Sequence, residues 1–215
     1  MGFFDSIAKK AINKAVGSVV DHALDSVLGN NSSQPQQTQQ PTASQIIKPD
    51  LNGTVVEQTI LSAGEFEEYS FKFEKTEKMY EKSSGAVEIP IYYVIADSED
   101  EAYEDDFNTN LPEIYIGVDE LAEINKGLHK NATNVAVSDV VNHSLIKKKY
   151  EFNRKSQLDG TPHHYISYKF FVDSKDESSG AYTVITLSLP DACSQEMKIY
   201  AIKSLNLLAS TMNIG

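Results

Sequence analysis

Two stretches of this 215-residue chain place residue types that could do chemistry close together. The first is His163-His164, because histidine changes charge near neutral pH and can serve as a general base or a metal ligand. Adjacent residues of a strand point to opposite faces, so the two rings cannot act on one substrate. One of them could pair with a carboxylate, and the ordinary role for such a histidine is structural or superficial. The second stretch is Asp97 to Asp106, DSEDEAYEDD, with seven acids and no base. A calcium loop of the EF-hand kind needs glycine at its sixth position and a bidentate glutamate at its twelfth. Counted from Asp97 these are Ala102 and Asn108. The run therefore reads as a solvated acidic loop. Neither a G-x-S-x-G nucleophile elbow, a phosphate-binding G-x-x-x-x-G-K-[ST] loop nor a G-x-G-x-x-G turn occurs. No catalytic residue, metal ligand or cofactor is assigned, and the reading leans toward a protein that is not an enzyme.

Charge and cysteine content narrow the partners. The net charge is −12. Residues 1–50 cancel, with Lys9, Lys10, Lys14 and Lys48 against Asp5, Asp21, Asp25 and Asp50, so the excess lies on the rest of the chain. That argues against nucleic acid, which demands a clustered cationic face. Lys147, Lys148, Lys149, Arg154 and Lys155 form a local basic patch, read as a solvated strand edge that deters pairing. Cys193 is the single cysteine, and no secretory leader is recognisable. Together these suggest a cytoplasmic protein, peripheral at a membrane if the N-terminal segment is an anchor, with Cys193 as a small buried hydrophobe.

The elements fall on either side of Gly29 to Asp50, GNNSSQPQQTQQPTASQIIKPD, which is too poor in apolar residues to offset ordering and reads as a disordered linker. Before it, residues 1–28 carry apolar pairs every four positions from Phe3/Phe4 to Val27/Leu28. On an α-helix such a stripe drifts by about 40° per step, so a bend at Gly17-Ser18 is expected. Charges interrupt the segment, which excludes a transmembrane span. Three uses remain open. It packs back on the domain, or it lies in a membrane interface with Phe3, Phe4 and Ile7 in the headgroup boundary and Lys9, Lys10 and Lys14 against anionic lipid. Alternatively it docks in a partner's groove or self-associates through Ile12, Val16 and Val20. Residues Gly2 to Ser6 also match an N-myristoylation pattern, which has meaning only in a eukaryotic cell.

Residues 51–215 are long enough to enclose one core. Strands are expected at Thr54 to Leu61, Glu68 to Phe73, Val87 to Ile95 with Pro90 marking an edge, and Ile114 to Val118. Met79 to Ser84 reads as a polar turn. Asp119 to Lys130 reads as a helix capped by Asp119, and Asn134 to Asn142 is ambiguous. Three further strands, Leu145 to Phe152, His163 to Val172 and Ala181 to Leu189, precede a helix opened by Pro190-Asp191 and carrying Met197, Tyr200/Ala201, Leu205, Leu208 and Met212 on one face. This closing succession, with the Asp159-Gly160 turn before His163 and the helix after SLPDA, resembles the end of the PsbP/Mog1-like family. The resemblance covers the last third of the chain. It implies an antiparallel sheet covered by helices, in a family of largely non-catalytic binding and accessory proteins. The expected architecture is thus α+β, an antiparallel sheet covered by helices and preceded by an amphipathic helix and a linker. The expected function is a binding or accessory module tethered through residues 1–28 to a protein partner or an anionic membrane. The alternative is a small-molecule-binding or hydrolytic domain whose site is scattered in sequence.

Overall fold

Strict alternation of apolar and polar residues dominates the chain after Gly53, and strands are the outcome. The computed structural model describes residues 43–61, 68–82, 91–103, 110–120, 132–156, 160–170 and 181–214. Among them lie ten strands and two helices: β1 (Thr54–Leu61), β2 (Glu68–Lys75), β3 (Met79–Lys82), β4 (Ile91–Ile95), α1 (Glu99–Tyr103), β5 (Glu113–Glu120), β6 (Thr133–Asp139), β7 (Ile146–Lys155), β8 (Pro162–Phe170), β9 (Ala181–Pro190), α2 (Gln195–Thr211) and β10 (Asn213–Ile214).

The strands form two antiparallel sheets. One has seven strands in the order β3-β4-β5-β9-β8-β7-β6, the other three in the order β1-β2-β10. Register aligns the apolar parities into one inner face: Tyr93 opposes Ile114, Ile114 opposes Leu187, and Leu187 opposes Ile166. Against that face pack α2, through Ala201, Leu205 and Leu208, and the small sheet, through Phe71 and Phe73. Phe71 meets Phe170 edge-on at 5.5 Å, and Phe73 meets Tyr93 at 6.2 Å. The small sheet also closes over α2 from behind. Glu74 donates its N–H to Thr211 Oγ1, Thr76 and Ser204 share a buried hydroxyl contact, and a Cβ on Gly53 would meet Leu207 Cδ2 at 2.8 Å.

The α+β expectation of a sheet covered by helices is therefore corrected: the fold is β-rich, with two sheets and one long helix. The physical reason is β2. Its phenylalanines supply the second layer that helices were expected to supply, so α2 is enclosed rather than laid on an outer surface.

Smaller differences have local causes. Residues 119–120, expected to open a helix, continue β5 because they pair with Tyr182 and Ala181 of β9. The expected turn at Met79 is strand β3, anchored by full burial of Met79. The basic patch is no edge, since β7 runs between β6 and β8. Part of the acidic run forms α1, where Ser98 accepts from Glu101 N–H, the Glu101 carboxylate accepts from Asp97 N–H, and Ala102 is buried. Acids in a first helical turn suit the positive end of the helix dipole. Residues 87–90 and 171–172 of the expected strands, residues 104–106 of the acidic run, residues 121–130 of the expected helix and residues 1–42 lie outside the described residues.

Candidate functional site

The outer face of the seven-stranded sheet carries a row of rings and hydroxyls. On β4 and β5, Tyr92 and Tyr115 are neighbours with centroids 5.3 Å apart. Beside them burial pushes the Glu113 carboxyl up, opposed by the Lys82 charge, and burial then the Glu113 charge push the Tyr92 hydroxyl up. Further along, the Tyr165 ring stacks on Phe152 at 5.1 Å and on His163 at 5.9 Å, with the Arg154 guanidinium carbon 5.0 Å from its centroid. His163 Nδ1 lies 2.7 Å from Ser188 Oγ and Nε2 lies 3.0 Å from Thr161 Oγ1, so both nitrogens are bound within the sheet.

His164 faces the other way, as strand geometry requires. Its Nδ1 is 2.7 Å from Asn153 Oδ1 and its buried Nε2 has no hydrogen-bond partner. Since the Asn153 oxygen can only accept, Nδ1 carries the proton and Nε2 presents a lone pair. Burial holds the ring pKa below its ordinary value, with Glu151 raising it and Lys149 lowering it in turn. Lys149 and Glu151 form a buried ion pair two residues apart on the same face of β7. Tyr168 donates its hydroxyl to Asn206 of α2 at 2.9 Å. The charges acting on His164 are thus Glu151, Lys149, Asp191 and Lys198, and none belongs to the Asp97 to Asp106 run. Asp97 instead binds Lys78 at 2.6 Å, and that ammonium lies 5.1 Å from the Tyr200 ring centroid. No three His, Cys, Asp or Glu side chains gather around a point where a metal could sit among the described residues.

The third feature is the edge at β6. Five of its first six residues, TNVAVS, are exposed, including Val135 at 41% and Val137 at 42%. Beyond its end, Ser44 lies parallel to Val140: Ser44 N–H donates to Asp139 O at 2.8 Å and Val141 N–H to Ser44 O at 3.1 Å. Asn142 completes the clip, accepting from Ile46 N–H at 2.9 Å and donating to Ile46 O at 2.8 Å, while the Ile46 side chain enters the core.

No family model and no curated protein matches this chain. Among solved structures it is similar to LpqN, described as involved in cell envelope biogenesis of Mycobacterium tuberculosis. Identity is 12% and the TM-score 0.42, over 74% of this chain and 91% of that one. A likeness so distant carries nothing for function.

The residues proposed from sequence for membrane or partner binding, Phe3, Phe4, Ile7, Lys9, Lys10, Ile12, Lys14, Val16 and Val20, all lie outside the described residues. The two histidines are placed on opposite faces as expected. The β6 edge was missed, because its short run of small and β-branched residues has no signal of its own until its neighbour in the sheet is known. The Ser44–Val140 and Ile46–Asn142 pairings join residues 96 positions apart and had no sequence signal.

Proposed function

We propose that this chain is a non-catalytic binding or accessory module, held through residues 1–28 at a membrane surface or a larger protein assembly. The observation that carries this reading is where the tether meets the domain. Ser44 pairs beside the end of β6, so the described chain begins, at Ala43, next to that edge strand. Whatever engages residues 1–28 is held close to that edge, and a linker of this length raises the local concentration of the second contact. Two further points support it. Several groups that could do chemistry near the sheet have structural partners, His163 in Ser188 and Thr161 and Lys149 in Glu151. The resemblance of the last third to PsbP/Mog1-like proteins points to accessory roles. No described helix is long and apolar enough to cross a membrane.

Vesicle co-sedimentation of the full chain tests the tether. Phe3→Ser with Phe4→Ser should abolish binding. Neutralising Lys9, Lys10 and Lys14 should weaken it on anionic vesicles alone, by about 1 kcal/mol per lysine. Absence of vesicle binding, with loss of a protein partner on Ile12→Asp, Val16→Asp or Val20→Asp, assigns the segment to a partner's groove. If none of these substitutions changes any association, the tether reading fails.

A further inference from the structure

One carboxylate on the inner face of the sheet has two cations within its reach. Glu151 of β7 lies opposite Ile166 of β8. On the same face its neighbours are Lys149 and Asn153 along its own strand, and Tyr168 and His164 diagonally across. Diagonal neighbours of an antiparallel pair stand about 7–8 Å apart, a gap that long side chains close. Burial lowers the His164 pKa and raises that of Tyr168, and in both the next cause is the Glu151 charge, as expected of a carboxylate set between them. Lys149 holds that carboxylate in a buried ion pair. His164 binds Asn153 through Nδ1 and leaves its buried Nε2 without a partner. The other described charges acting on the ring are Asp191 and Lys198, and the Lys198 ammonium is already bound to the Asp191 carbonyl at 2.9 Å.

We infer that Glu151 is a partner-exchange switch: it holds Lys149 while His164 is neutral, and passes to His164 when Nε2 takes a proton from solvent, releasing Lys149. One carboxylate neutralises one buried cation, and a second cation beside it would stand uncompensated away from water. Reach decides which of the two leaves. The His164 ring is pinned at Nδ1 by Asn153, whereas the Lys149 ammonium rides on a flexible stem that can carry it to water. Its way out is short. Lys149 lies opposite Ser138 of β6, the last strand of the sheet, and the Ser138 hydroxyl meets that of Ser44. The released ammonium therefore emerges at the clip that holds Ser44 and Ile46 on the domain. Because burial keeps the ring below its ordinary pKa of 6.5, the exchange belongs to the acid side of that value.

NMR of the full chain follows both groups through one pH series, His164 by its ring shifts and Lys149 by the exchange of its ammonium protons with water. While Lys149 is paired and buried these protons are protected. Their protection should fall as His164 charges, against the general slowing of amine proton exchange in acid, and should not fall in His164→Gln. Lys149→Met should raise the His164 midpoint, because it removes a neighbouring cation and frees the carboxylate. Adding Glu151→Gln to Lys149→Met should cancel that rise, and it replaces the buried pair by neutral groups of similar volume, so folding is kept. Lys149 protons that stay protected throughout the His164 titration would show the two cations sharing Glu151 and overturn the proposal. So would the same loss of protection in His164→Gln, a His164 midpoint indifferent to Lys149→Met, or unfolding of the chain before His164 charges.

Discussion

His164 sits on the inner face of β8 with one ring nitrogen bound to Asn153 and the other buried without a partner. Keeping it neutral is the stable arrangement, because a proton on Nε2 would put a charge where burial disfavours it, and the opposing pull of Glu151 is itself countered by Lys149. His143 is held below its ordinary value in the same way, first by burial, and its Nδ1 accepts from the Leu145 and Ile146 N–H groups. Both folded pKa values lie below the ordinary 6.5, so this contribution to stability is complete above that pH and is lost as pH falls toward the folded values. The melting temperature should drop as pH falls below about 6.5, and His164→Gln should flatten the drop. An identical pH profile in His164→Gln would show that the ring is not held neutral. The sequence revealed that His163 and His164 part company, since period two is a property of the backbone. It did not reveal that both are buried, nor which of them faces the side on which α2 packs. The Lys149–Glu151 pair did leave a signal, opposite charges two apart on a strand, but solvation of a lysine-rich run was the more economical reading.

Among the elements, α2 shows the difference between a pattern and its setting. The recurrence of Met197, Ala201, Leu205 and Leu208 marks a helix without ambiguity, and all four lie in the core. Its start was misplaced: Pro190 still belongs to β9, and the helix begins after Ser194, whose hydroxyl caps Met197 N–H at 3.2 Å. The second layer on its back was invisible, because Leu207 and Ser204 meet Gly53 and Thr76 only once the small sheet is in place. Leu205 is completely buried between these layers. Leu205→Ala should therefore cost about 2–5 kcal/mol in chemical denaturation, toward the upper end because neither sheet can collapse into the space. A loss below about 1 kcal/mol would mean that α2 is not enclosed as described. Short strands were the least legible elements. β3 has only four residues for alternation to register, β6 turns its valines to the solvent rather than into the core, and each is a strand because its neighbour offers a ladder.

At the scale of the molecule, the question is where the domain begins. Composition placed the end of the linker at Asp50, because two isoleucines in a Gln- and Pro-rich run look incidental. Yet Ile46 is buried to 6% exposure, Lys48 binds Glu74 at 2.7 Å, and Ser44 and Ile46 are held by Asp139, Val141 and Asn142. No local pattern could have shown this, since burial of Ile46 is decided by Asn142, 96 positions away. Two shortened chains separate the alternatives. One beginning at Ala43 keeps the clip, and one beginning at Leu51 removes it. Burying an isoleucine side chain is worth about 1.5–3 kcal/mol, and the unmatched Asn142 amide would return to water at modest cost. The exposed Lys48 pair adds little. The chain from Leu51 should therefore fold but denature at a lower midpoint, by an amount equivalent to about 1.5–3 kcal/mol, with an unchanged slope. The chain from Ala43 should match the full-length protein. Equal stability of the two shortened chains would show that the clip contributes nothing, and the tether would then leave the domain at Leu51 rather than beside β6.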